Sequence, residues 1–115
     1  MIDIDKKLWK NYQKRGIKVF LVDGNAVRNN LGVSYGIGGH SKAYDFIPKN
    51  EIWLEKTLDP AERDMILLHE LYERRRMIRD KWNYMRAHHA ATIAEWYARK
   101  NPQKTASKIR EVLSI

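Results

Sequence analysis

The chain has no cysteine. That removes disulfides, thiol nucleophiles and cysteine-ligated zinc fingers together, and it fits a reducing compartment such as the cytosol. Long apolar runs are also missing. The longest, VFLV at 19–22 and MILL at 65–68, fall far short of the roughly 20 residues that cross a bilayer. The opening MIDIDKKLWK lacks the apolar centre of a signal peptide, so the expectation is a cytoplasmic protein with no membrane association. Internal repeats and low-complexity tracts are absent. The glycine-rich stretch GVSYGIGGHSK at 32–42 carries neither a Walker pattern nor a full dinucleotide fingerprint.

What is present suits one domain over residues 1–115. Hydrophobic residues make up 43%, and four Trp and six Tyr supply large core pieces. The net charge is +8 and the pI is near 9.8. Such a balance favours an anionic partner, nucleic acid included, although the positive charge is spread over both halves.

Periodicity outlines an α+β fold, with a small antiparallel or mixed sheet in the N-terminal half packed on three C-terminal helices. Leu8 and Tyr12, four apart beside Trp9, read as a short first helix over 4–15, stopped by Gly16. IKVFLV at 17–22 reads as a buried strand, and DGNAVRNNLG as one or two helical turns. AYDFI and EIWLE, flanking PKN, read as a β-hairpin whose second strand is a sheet edge. At LDPAERDM the signals agree: Asp59 as cap, Pro60 at the first helical position and Glu62 three after the cap. A helix over 60–81 follows, then one over 84–100 capped by Asn83, then a last one over 103–113. Trp82, Tyr84, Trp96 and Tyr97 read as core and inter-helix packing.

MILLHELYERRRM at 65–77 carries the chemistry. A helix that begins so apolar is buried on much of its girth, and charges placed there need a partner, a metal or a task. His69 and Glu73 are four apart and share a face, with Glu70 on its flank. Zinc peptidases use this arrangement as H-E-x-x-H: two ligands one turn apart hold the metal, and the Glu between them takes a proton from water. Here the second ligand is a carboxylate, also competent for zinc. RAHHAATIAEW on the next helix offers His88 as third ligand if the two helices are antiparallel. Small Ala90, Ala91 and Ala94 permit their close approach, and Glu95 is placed to accept the outer N–H of a ligand histidine. His89, adjacent to His88, points about 100° away. His40, in GGHSK, sits in a loop able to fold over the site as an extra ligand or oxyanion donor. The plain alternative is a hydrogen-bonded core histidine at 69, with Glu70 and Glu73 paired to Arg74 and Arg76 on a helix surface.

These motifs resemble the gluzincin branch of zinc metallopeptidases. That branch has H-E-x-x-H on one helix and a ligand Glu in E-x-x-A-x-x-x-E on the next. HHAATIAE reads H-x-x-A-x-x-x-E, so Glu73 and His88 look exchanged relative to the family while two His and one Glu are preserved. VFLVDG, VRNNL, GGH, YDFIPKNEIWL and LLHELYERRRM together resemble a group of small phage and microbial proteins whose motif reads H-E-L-H-E-R. Tyr72 stands at that group's second His. The resemblance implies a minimal zincin-like fold, zinc held by His69, Glu73 and His88, and Glu70 as general base toward a peptide or protein substrate. It also implies an edge strand EIWLE along the cleft, and a host cytoplasm if the gene is phage-borne. Two histidines with one carboxylate also suit iron, or manganese, and oxidation or phosphoester cleavage. The alternative from another class is a basic binding module for nucleic acid or a protein, with a structural His/Glu cluster.

Overall fold

The computed structural model describes residues 2–14 and 16–113. Its sheet is mixed, with strand order β1-β2-β4-β3. β1 (Lys7–Lys14) pairs antiparallel with β2 (Ile17–Val22). β4 (Glu51–Glu55) runs parallel to β2, and β3 (Gly38–His40) lies antiparallel to β4 at the edge. A short helix α1 (Gly24–Asn30), capped by the Asp23 carboxylate, crosses between β2 and β3. Then come α2 (Pro60–Arg79), α3 (Tyr84–Lys100), a 3₁₀ turn (Pro102–Lys104) and α4 (Thr105–Leu113). The α+β architecture is therefore as the periodicity indicates.

Three local expectations are corrected. The segment expected as a first helix over 4–15 is instead β1 from Lys7 to Lys14, preceded by irregular chain at 4–6, and Arg15 lies outside the described residues. The apolar strand β2 has two edges to fill, and β1 fills one of them, so long-range pairing overrides local helical spacing. A register shift between Trp9 and Lys14 acts as a bulge. It lets Trp9 and Tyr12 meet edge to face at 5.9 Å, while Leu8 is exposed. Gly16, at φ 79°, serves the turn into β2 rather than a helix stop.

The second correction concerns EIWLE, which is not a sheet edge and does not pair with AYDFI. It lies between β2 and β3, with Ile52, Trp53 and Leu54 all buried. Ile52 and Leu54 join the core formed with α2, and Trp53 joins a second cluster with Tyr35 and Ile47. A strand buried on both faces reads as a continuous apolar run. Tyr44 and Phe46 pack on that second cluster from turns. The true edge, β3, came from the glycine-rich stretch. At Gly38 an added Cβ would stand 2.7 Å from Ile66 Cγ2 and 3.2 Å from Glu70 Cγ, so only glycine lets this strand lie directly on α2.

The third correction is in the aromatics and the cap. Trp96 and Tyr97 are exposed, not core, because α3 turns Ala87, Ala91 and Ala98 inward. Trp82 makes cation–π contacts with the guanidinium groups of Arg76 and Arg86, 4.6 and 3.8 Å from its ring centroid. Asp59 makes no side-chain cap bond, and Glu62 accepts from Arg99 instead of closing a capping box. Asn83 does cap α3, accepting from Arg86 N–H at 2.9 Å.

Helix α2 is the hub. Residues 65–71 and Glu73 are buried, with the sheet, α3 and α4 packed around it. No helix among the described residues is long and apolar enough to cross a membrane. The β3–α2 contact sets a test. Replacing Gly38 by Ala should destabilise the protein by about 1–3 kcal/mol, the usual range for overpacking. Gly36→Ala, with nothing within 4 Å of the added Cβ, should be close to neutral. Urea denaturation of both variants decides, and equal stabilities would mean that β3 does not rest on α2.

Candidate metal centre

The antiparallel pairing of α2 and α3 brings His69, Glu73 and His88 together. His69 Nε2 lies 3.2 Å from Glu73 Oε2, His88 Nδ1 lies 2.8 Å from the same oxygen, and the two nitrogens are 3.2 Å apart. Four donors about 2.0–2.1 Å from a tetrahedral zinc ion stand roughly 3.3 Å from each other. The triangle is thus close to the size a metal requires, and these residues form a group that could hold an ion.

The outer contacts decide which atoms face inward. His69 Nδ1 is 2.9 Å from Glu95 Oε1, so a neutral ring that donates there would direct its Nε2 lone pair at the triangle, while a protonated ring donates to Glu95 and to Glu73 together. Glu95 is itself fixed by Arg99 Nε at 2.8 Å, and Arg99 reaches on to Glu62 at 2.6 and 3.0 Å. His88 lies against the Tyr84 ring, centroids 5.3 Å apart and planes inclined by 22°. The Tyr84 hydroxyl is 3.4 Å from His88 Nδ1.

His40 reaches the site, as anticipated, but from β3 and not from a loop. It is fully buried, and its Nε2 donates to Glu73 Oε1 at 2.8 Å. Its Nδ1 accepts from the Lys42 backbone N–H at 3.2 Å, so the proton resides on Nε2. In that tautomer Nε2 braces the ligand carboxylate, and His40, Glu70 and Glu73 form a second group that could hold an ion. His89 is exposed and belongs to neither group able to hold an ion, His69–Glu73–His88 or His40–Glu70–Glu73, so of the adjacent histidines it is His88 that reaches Glu73. Tyr72 faces the core, with its hydroxyl accepting from Arg76.

The surface alternative for the two glutamates does not hold. Glu70 and Glu73 are 8% and 2% exposed, and Arg74 and Arg76 bond to Asn50, Asp80 and Tyr72. Burial would raise the Glu73 pKa, but hydrogen bonds from His40, His69 and His88 outweigh it and hold the carboxyl at about 2. For His69, burial opposes protonation, yet Glu73, Glu70 and Glu95 together raise it above its ordinary value. Glu70 receives no such hydrogen bonds, and His69 offsets its surroundings only in part. Burial first, and the Glu73 charge second, push its carboxyl up to about 8. It stands over Gly38 at the wall of a cleft of about 340 Å³ that also admits Tyr44 and Tyr84.

Two residues of the site escaped the sequence reading. Tyr84 precedes His88 by four residues and Arg99 follows Glu95 by four, so helical spacing puts each beside a site residue. Compared with family models, with curated proteins and with solved structures, the chain matches none. The site therefore has to be judged on its own atoms.

The Glu70 shift has a thermodynamic consequence. A carboxyl whose folded pKa lies near 8, against 4.5 unfolded, binds its proton more tightly in the folded state. Its contribution is most favourable below about pH 4.5 and is lost as pH rises toward 8. In chelator, Glu70→Gln should therefore stabilise the protein at pH 7–8 by an amount on the order of 2–3 kcal/mol, and much less at pH 5. Thermal denaturation at the two pH values checks this. A gain that does not grow with pH would show that Glu70 is not a strained buried acid.

Proposed function

We propose that the protein is a metal-dependent hydrolase, a minimal zinc peptidase of gluzincin-like design. The observation that carries this reading is the triangle of His69 Nε2, His88 Nδ1 and Glu73 Oε2, 2.8–3.2 Å on a side, with the carboxyl of Glu70 beside it. Purely structural polar clusters pair donors with acceptors. Here two imidazoles crowd one carboxylate oxygen, and with both rings neutral and Nδ1–H of His69 on Glu95, lone pairs would face the same point, which suits a cation. Zinc fits the nitrogen and oxygen donor set best, and iron or manganese are the other candidates.

A bound ion would acidify a water and polarise a carbonyl oxygen. The chain's own residues do the rest. Glu70, desolvated and poised near neutrality, takes the proton of the attacking water and returns it to the leaving amine. Glu95 keeps His69 in the tautomer that offers Nε2, and His40 fixes Glu73. The Tyr84 phenol closes one side of the cleft and stays protonated, its pKa pushed to about 12 by burial and by Glu73 and Glu70.

The edge that would seat a substrate is β3 in place of EIWLE. Glu55 N–H donates to Ile37 C=O at 2.9 Å, so Ile37 and Gly39 direct their backbone groups at β4. Gly38 and His40 direct theirs outward, and His40 C=O is taken by Ala43 and Tyr44 N–H. Gly38 thus offers N–H and C=O on the open side, next to Glu70, where an extended peptide can add as a further strand.

Metal analysis and kinetics test the proposal. The purified protein, loaded with zinc and desalted, should retain about one equivalent, and Glu70→Gln should retain as much while losing about 10²–10⁴-fold in peptide hydrolysis. Glu95→Ala should bind metal about 10–100-fold more weakly. Retention should fall as acid protonates the histidines, beginning above their ordinary pKa at His69, whose protonation the carboxylates favour. Less than about a tenth of an equivalent in the wild type would end the metal reading.

A further inference from the structure

The second feature that asks for a partner lies on the far side of α2. Helices α3 and α4 both pack on α2 and hardly on each other. Between them runs an open groove of about 410 Å³. Its floor is made by Leu68 of α2, Ala90, Ala94 and Ala98 of α3, and Val112 of α4. The three alanines fall on successive turns, a flat strip about 12 Å long. Ile93 and Tyr97, 46% and 61% exposed, stand along one wall. Trp96, 51% exposed, packs edge to face on Tyr97 at 5.2 Å and carries Lys100 Nζ at 4.0 Å over its ring. Tyr72 and Asn101 also line the groove, and its charged groups are mostly cationic: Arg75, Lys104 and Lys108 against a single acid, Glu111, which pairs with Lys108 at 3.5 Å.

We propose that this groove docks an acidic amphipathic helix of a partner protein. The floor supplies small side chains, so a backbone can approach closely. The walls supply the aromatic and aliphatic contacts that dominate helix-in-groove recognition. The cations sit where the flanks of an inserted helix would lie, and they favour glutamate and aspartate there. The length matches two to three helical turns. Three helices line the groove, so no backbone edge is available to an extended strand. A second copy of this chain would bring the same cations, and a net charge of +8, against their own kind. A phosphate backbone would seek a continuous cationic track, and here the cations flank an apolar floor.

The proposal is independent of the metal centre and is tested on the full chain. Calorimetry would follow a synthetic helix of about 14 residues, with leucines at helical spacing and glutamates elsewhere, and a counterpart with lysines in place of the glutamates. The glutamate helix should bind saturably and the lysine helix should not. Ala94→Arg, which fills the floor, should weaken binding by about tenfold or more. So should the double variant Lys104→Glu/Lys108→Glu, which alters only exposed positions and leaves the core intact. Zinc retention should be unchanged in both, separating this face from the metal centre. The proposal fails if the glutamate helix shows no saturable binding by about 1 mM, or if both variants bind it as the wild type does. It fails also if the wild type sediments as a dimer that Ala94→Arg converts to a monomer, which would give the groove to a second copy.

Discussion

The carboxylate of Glu73 is the interaction on which the arrangement depends. It is 2% exposed and receives three histidines, His40 from β3, His69 from its own helix and His88 from α3. One buried anion thereby ties the sheet edge to both central helices. Removing a charge from water costs several kcal/mol unless its partners are well placed. The chain has 22 lysines and arginines, yet among the described residues every ion-pair partner of Glu73 is an imidazole. An arginine would have neutralised the carboxylate permanently. Imidazoles can surrender a proton and offer a lone pair, so the same contacts that stabilise the fold leave room for a cation to replace protons.

Glu70 shows the opposite economy. It is buried one residue from His69 and faces Gly38, where burial and the Glu73 charge outweigh the opposing effect of His69. Its neighbour three positions on is satisfied three times over, while Glu70 is left with a raised pKa. Two carboxyls on one helix are thus driven in opposite directions by their surroundings, and that separation is the usual mark of divided acid–base roles. A protein selected for stability alone would place an amide or a leucine there.

How much of this was legible depended on whether the relation was local. His69, Glu70 and Glu73 share one helix, and His88 and Glu95 share the next, so a period of 3.6 sufficed to group them. A four-residue connection then made the antiparallel pairing almost unavoidable. His40 could be flagged but not placed. Its position depends on β3 pairing with β4 across the ten residues 41–50, and on two glycines that read as a loop because they are glycines. EIWLE was legible as a strand but not as an interior one, since only the sheet order reveals that both its faces are covered. The 4–15 segment failed for the same reason: Leu8 and Tyr12 fit a helix locally, while the need of β2 for a second neighbour is invisible in the window.

The exposed aromatics on α3 follow from the site itself. For His88 to reach Glu73, α3 must approach α2 closely, and it does so through Ala87, Ala91 and Ala98. A helix that spends its small residues on the inner face must carry its large ones elsewhere. Ile93, Trp96 and Tyr97 are therefore outside because the His88–Glu73 contact needs the inside narrow, and the cost of leaving them in water is borne unless another surface covers them. The groove over Ala90, Ala94 and Ala98 lies on the same helix, so one choice of residue size along α3 shapes both the approach of His88 and the surface beyond it.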